Sequence, residues 1–224
     1  MADKRRTPLT RRGQAAAGRI REAAARLFLA RGYDAVSIDD IIELSGGSKS
    51  SVYSLFHGKE QLFVTVIGDL CDQFAQALAA VDVAHLDAAG GLRMFGRRLL
   101  EILMNERHLA FYRLALAQAG RIDGVGREWQ RHGPEATCRL MAQFIAQRQG
   151  AGDLRTDFDA YAAARLFHDM IAFNLVHRAV VGDRPSPRDV RGTIAGAVDL
   201  FMRGYAVHRP GPPRRLSPSR ATAR

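Results

Sequence analysis

The sequence predicts an all-α protein, with a three-helix helix-turn-helix head at the N-terminus and a larger helical bundle behind it. Three observations predict this. Apolar residues recur at helical spacing in every convincing segment, and no run alternates as a strand would. Arg19 to Leu70 contains two short helical patterns joined by a Ser-Gly-Gly turn, the layout of a helix-turn-helix. About 150 residues then follow with glycine and proline breaks at helix-length intervals.

Taken in order, residues 1–12 are polar and basic, and low apolar content predicts an arm without a packed core. The first helix spans about Gln14 to Arg31, with Ile20, Ala24, Leu27 and Phe28 on one face and Gly32 as its stop. Ser37 caps the second helix and Asp40 completes a box-like pair. Gly46 and Gly47 make the turn. Ser48 caps a third helix ending near Phe56, and Gly58 opens a long fourth one, striped by Leu62, Val66, Leu70, Phe74 and Leu78. Five more helices are expected at about 86–105, 107–119, 125–149, 158–181 and 187–207, with Gly90-Gly91, Gly120, Gly150 to Gly152 and Pro185 to Pro187 as breaks. The organisation expected is a basic arm (1–12), a helix-turn-helix head (13–60), a larger helical part (61–208) and a basic tail (209–224).

Composition narrows the function classes. With 47% apolar and 25% charged residues in a 224-residue chain, this is an ordinary globular sequence able to bury a real core. No secretory leader and no uninterrupted apolar run of membrane length is evident, so a cytoplasmic protein without a membrane partner is expected. Cys71 and Cys138 stand alone and fit buried thiols better than a disulfide or metal framework.

The net charge of +10 is concentrated at the ends. Lys4, Arg5, Arg6, Arg11 and Arg12 face only Asp3, a net +4, and residues 209–224 add +5 with no acid. High charge alone is therefore weak evidence for nucleic acid. A basic arm directly before a helix-turn-helix is better placed, since such arms follow phosphates or enter the minor groove.

Candidate DNA-contacting residues gather around the turn. Ser37, Ser48, Ser50, Ser51 and Ser54 offer small hydroxyls, while Lys49, His57 and Lys59 supply charge or donors. Tyr53 can give its hydroxyl to a phosphate while its ring packs on the core. Arg5 and Arg6 would follow the backbone. Isolated serines are usually caps or surface; four within seven residues after a turn favour DNA contact.

The segment Ala24 to Phe28, Arg31-Gly32-Tyr33, Ser37 to Ile41, Ser48-Lys49, Val52-Tyr53, Phe56 and Lys59 to Phe63 resembles the DNA-binding domain of the TetR/AcrR family of bacterial regulators. The C-terminal part more loosely resembles the AefR-like subgroup, through Phe111 to Leu114, Gly152 to Leu154 and Ala162 to Phe167. The resemblance implies a homodimer, a palindromic double-stranded operator and a C-terminal domain that binds a small-molecule effector. Gly47 departs from the family pattern, where a small apolar residue plugs the turn into the core. Leu55 stands where an aromatic is frequent.

In the C-terminal half, the last helix offers a dimer surface, with Val190, Ile194, Val198, Phe201 and Tyr205 on one face and Gly192, Gly196, Leu200 and Gly204 on an adjacent line. Glycines in register cost helix stability, so they suggest close helix approach at a dimer interface, or packing within the subunit. Phe111, Tyr112, Leu116, Trp129, Met141, Phe144, Phe167, Met170 and Phe173 line an apolar cavity or fill a core; the filled core is the default. His168, Asn174 and His177 are polar residues among apolar ones, candidates for ligand contact or for satisfied core positions. His168 and His177, nine residues apart, are expected on opposite faces of their helix.

No metal-ligand spacing, nucleophile elbow, P-loop or dinucleotide fingerprint is present, so neither an enzyme nor a cofactor protein is expected. The expected function is a ligand-responsive, dimeric DNA-binding regulator, a repressor released by its effector. The competing reading is a small-molecule-binding or protein-interaction dimer that has lost DNA recognition, favoured by Gly47 and Leu55.

Overall fold

The computed structural model describes residues 10–207. Arg5, Arg6 and the basic segment 209–224 lie outside them. Among the described residues ten helices follow one another: α1 (Arg11–Arg31), α2 (Ile38–Ser45), α3 (Lys49–Phe56), α4 (Lys59–Ala79), α5 (Ala88–Leu103), α6 (Glu106–Ala119), α7 (Val125–His132), α8 (Pro134–Gly150), α9 (Ala160–Val180) and α10 (Pro187–Tyr205). Among the described residues there is no strand, only an isolated bridge between Leu154 and Ala206.

Side-chain caps set most helix starts. Ser37 with Asp40, and Ser186 with Asp189, form reciprocal capping boxes at α2 and α10. α1 begins three residues earlier than its apolar period predicted, because the Thr10 hydroxyl accepts from the Gly13 N–H at 3.2 Å. Gly46, in the left-handed region at φ 68°, ends α2.

Two expected boundaries are corrected. The helix predicted over 125–149 is two helices, since Gly133 leaves the helical region and Pro134, which has no N–H to donate, starts α8. Gly90-Gly91 is not a break but lies in the first turns of α5. There the Phe144 ring packs so close that a Cβ on Gly91 would lie 2.0 Å from it.

Two hydrophobic cores organise the chain. The first joins α1–α3 to the first half of α4 and includes Phe111, Leu114, Ile122 and Val125 from α6 and beyond. Here Phe28, Tyr33 and Phe63 form an aromatic cluster with ring centroids 4.9 to 5.7 Å apart. The second joins the end of α4 to α5, α8, α9 and α10. α4 is long and apolar enough to cross a membrane, but Leu62, Phe63 and Ile67 are fully buried in protein and the helix links the two cores. Arg113 of α6 donates to the carbonyls of Val180 (2.8 Å) and Ala179 (3.1 Å), tying α6 to the C-terminal end of α9.

Candidate nucleic-acid interface and ligand cavity

The helix-turn-helix follows from one division of labour along α3. Val52 and Phe56, one turn apart, bury against α1 and α4, which leaves the intervening residues to face outward. Ser48, Lys49, Ser50, Tyr53, Ser54 and His57 are all exposed, and Ser51 is half-buried. Tyr53 corrects an expectation: its ring does not pack on the core but is 55% exposed, because it follows Val52 by one residue and so turns about 100° away. The tyrosine that packs against the first core is Tyr33, half-buried beside Phe28 and Phe63.

The serines also bond to one another. The Ser48 hydroxyl caps α3, accepting from the Ser51 N–H at 3.2 Å, and lies 2.9 Å from both the Ser50 and Ser51 hydroxyls. Ser54 donates to the Ser51 carbonyl at 3.2 Å. Ser37 is committed to its capping box. Ser48 therefore combines a structural role with its position at the exposed tip, whereas Ser50 and Ser54 have capacity for further partners.

Charge at this surface is mixed. Lys49 Nζ lies 2.8 Å from Asp39 of α2, an exposed pair that water and salt screen. Lys59 places its ammonium 4.1 Å from the Tyr33 ring centroid, and partial burial lowers its pKa. His57 takes the left-handed conformation at φ 60° and ends α3, with Gly58 at φ 118° completing the corner into α4. A Cβ on Gly47 would meet Ile20 at 3.6 Å and the Ser45 hydroxyl at 3.3 Å, so the turn leaves room for a small side chain over Ile20. Leu55 is half-buried against the first core.

A cavity of about 750 Å³ opens where the two cores meet. Cys71, Phe74 and Leu78 of α4, His108, Phe111 and Tyr112 of α6, and Trp129 form its apolar side. Glu135, Arg165, His168 and Asp169 add polar groups from α8 and α9. Burial pushes the Cys71 and Cys138 thiols up to about 12 and about 11, so both are uncharged at neutral pH.

The structure separates the candidates for ligand contact. Phe111, Trp129, His168 and His177 line this cavity; Asn174 is exposed and does not. His168 and His177 both border it despite their nine-residue spacing, because the opening runs along α9 and His177 borders it beside the exposed Phe173 ring, 4.4 Å away. Met141, Phe144 and Phe167 are filled core, while Leu116 and Met170 are exposed. His108, which borders the cavity, was not singled out in sequence. Its signal was its place three and four residues before Phe111 and Tyr112, on the same helix face.

The last helix also corrects an expectation. Ile194, Val198 and Phe201 are buried in the chain's own second core, with Val190 packed against it, so that row is not an outer face. The adjacent row is: a Cβ on Gly192, Gly196 or Gly204 would meet nothing within 4 Å, and Leu200 is 63% exposed. α9 adds exposed Leu166, Met170 and Phe173, which the sequence had assigned to the interior or left unassigned.

Comparison with known proteins places these features. Residues 20–66 match the model of bacterial regulatory proteins of the tetR family, and residues 90–207 match that of the AefR-like transcriptional repressor C-terminal domain. The HTH-type transcriptional regulator LmrA of Bacillus subtilis (strain 168) is 35% identical over 82 residues, which is 36% of this chain and 44% of LmrA. The match thus spans less than half of that relative's length. A TetR-family transcriptional regulator from Mesorhizobium loti MAFF303099 superposes with a TM-score of 0.73 at 28% identity, over 89% of this chain and 100% of the other. The flavonoid-responsive regulator FrrA superposes with a TM-score of 0.72 at 29% identity, over 86% of this chain and 98% of FrrA.

Proposed function

The chain belongs to the TetR family of DNA-binding bacterial transcriptional regulators, and from that premise we propose that it is a cytoplasmic repressor released by a small aromatic effector. It binds a palindromic operator as a homodimer. The observation that carries the reading is the position of the cavity, whose walls α4 and α6 also pack against the DNA-reading head. A ligand filling it favours one arrangement of those helices over another, which changes the separation of the two recognition helices. They must enter successive major grooves about 34 Å apart, so a shift of a few ångströms, on the order of one helix-packing rearrangement, weakens the complex.

In this reading α3 is the recognition helix, with Ser48, Lys49, Ser50, Ser51, Tyr53, Ser54 and His57 at the DNA and Lys59 and Ser37 at flanking phosphates. Arg5 and Arg6 extend the contact. The exposed apolar residues of α9 and the open glycine row of α10 supply the dimer face, where backbones can approach closely. The similarity to FrrA supports an aromatic effector.

The test is a fluorescence-anisotropy titration of the full chain against a duplex from its own upstream region and a scrambled duplex. It is run at two salt concentrations, with and without 4′-hydroxyflavone. Preference for the upstream duplex, two protomers per site and release by the flavone support the proposal. Equal, weak binding that vanishes with salt would leave only non-specific charge, and a helical dimer without DNA recognition would replace it.

A further inference from the structure

One side chain in the cavity wall is left without the partner its chemistry requires. His108 stands in the first turn of α6, where its backbone N–H donates to the Asn105 side chain at 2.8 Å. The residue is only 5% exposed, and its Nδ1 is buried with no hydrogen-bond partner among the described residues. Rings surround it: Phe74 with its centroid 4.4 Å away, Phe111 at 5.6 Å and Tyr112 at 6.4 Å. Buried polar atoms are almost always paired, so an imidazole that stands in a cavity wall with one nitrogen unpaired has hydrogen-bonding capacity left for a ligand group.

The surroundings define that group. Desolvation alone holds the imidazole pKa down, to about 4, so at neutral pH the ring is uncharged and carries one donor and one acceptor nitrogen. A ligand carboxylate or ammonium would find no opposite charge beside Phe74 and Phe111 and would lose its hydration there. A neutral hydroxyl loses little and gains the hydrogen bond. The walls favour a flat ring to carry it, since Tyr112 meets Trp129 edge-on at 5.5 Å and Phe74 lies 5.5 Å from Phe111. The acidic and basic groups of the cavity, Glu135, Arg165 and Asp169, stand on α8 and α9, on other walls than His108.

We propose that His108 is the anchoring residue of this cavity, its imidazole hydrogen-bonded to a hydroxyl of an uncharged phenolic ligand whose aromatic ring packs among Phe74, Tyr112 and Trp129. This rests on the reading of the cavity as the effector site. It adds the ligand class and the residue that selects it.

The test is isothermal titration of the full chain with 4′-hydroxyflavone and 6-hydroxyflavone, each beside its methyl ether, which keeps the ring and removes the donor proton. At least one hydroxyflavone binds roughly tenfold tighter than its ether, the worth of one buried hydrogen bond. His108→Phe brings the two within about twofold of each other while the ether's own affinity holds. His108→Gln, which retains a hydrogen-bonding head, keeps part of the preference. In the wild type, the His108 ring-nitrogen chemical shifts move with the hydroxyflavone and not with the ether, a readout that needs no variant to fold. Equal binding of phenol and ether by the wild type, or a preference that survives His108→Phe, overturns the anchor and leaves the cavity reading standing. Failure of all four compounds to bind the wild type overturns both.

Discussion

Arg121 clasps Asp34 with both terminal guanidinium nitrogens, at 2.9 and 3.2 Å, and so ties the segment after α6 to the loop between α1 and α2. The hydrogen bond from Arg121 holds the Asp34 carboxyl below the usual carboxylate range. The pair is exposed, so water screens it and it adds little to folding. Its position matters more: α6 carries His108 and Tyr112 at the cavity and Phe111 and Leu114 in the first core.

The first prediction is that Arg121→Ala leaves the thermal midpoint within error of wild type but raises the effector concentration needed for half-release of DNA several-fold. That is the range of one modest coupling energy. Anisotropy titrations of wild type and variant on the same duplex check it. An unchanged release curve would place the coupling elsewhere along α4.

The second concerns Lys49. Its pairing with Asp39 is exposed and weak, so a phosphate can replace the carboxylate without a large penalty. Lys49→Ala is expected to weaken operator binding at low salt and to reduce the slope of log affinity against log salt by about 1. Tyr53→Phe, which keeps the exposed ring and removes the hydroxyl, tests the phosphate contact in the same titration. If Lys49→Ala leaves both affinity and slope unchanged, this residue is no DNA contact.

How much of this was legible in the sequence depends on what kind of signal each part carries. The capping boxes of Ser37 with Asp40 and Ser186 with Asp189 are local, and the first was readable because three residues suffice to make it. The turn at Gly133-Pro134 escaped because apolar periodicity continues through it and only one proline marks the break. Both rows of α10 read as a dimer surface in sequence, and the row of Ile194, Val198 and Phe201 instead packs into the chain's own core. A helix shows two faces in its sequence, but which one meets its own subunit depends on the packing of α5 and α9, which no local pattern in α10 records. His108 was missed for a similar reason: it follows the polar stretch Asn105 to Arg107, its one signal was its spacing to Phe111 and Tyr112, and Phe74 of α4 completes its burial.

His108 also carries a pH prediction. The unfolded chain takes up a proton on this ring from about pH 6.5 downward, whereas the folded ring resists until about 4. The unfolded state therefore binds more protons in that window, and stability falls as pH drops from about 6.5 toward about 4, by on the order of 3 kcal/mol in full. Above pH 7 the penalty is absent. Urea unfolding at pH 7.0, above this window, and at pH 5.0, roughly in its middle, is expected to show part of that loss in wild type, which His108→Phe reduces. Equal losses in both proteins would mean that other groups dominate the acid limb.

Gly47 offers a stabilising change. Its φ is not in the left-handed region, and a Cβ there would touch Ile20 at ordinary contact distance, with only the Ser45 hydroxyl needing to shift slightly. Gly47→Ala is expected to raise stability by about 0.4–1 kcal/mol, mainly by narrowing the unfolded ensemble. Gly46→Ala is expected to lose stability, since φ 68° strains any residue with a Cβ. Chemical denaturation of the two variants distinguishes them, and a gain at Gly46 would contradict the turn geometry.

The last prediction separates the two faces of α10 and its neighbour. Phe173 of α9 is 67% exposed and Leu200 of α10 is 63% exposed, whereas Val198 is 2% exposed in the second core. Phe173→Asp and Leu200→Asp place a carboxylate on a face that, in a dimer, loses its water. They are expected to sediment as folded monomers with near-native helix content and to lose operator binding, because one recognition helix alone reads too few base pairs. Val198→Asp instead buries an unpaired charge inside one subunit and is expected to unfold it. Sedimentation velocity with circular dichroism reads both outcomes. If the Phe173 and Leu200 variants remain dimers with full DNA affinity, the subunits meet through another surface. The exposed apolar residues of α9 would then have to be explained by their place beside the mouth of the cavity, where Phe173 already stands against His177.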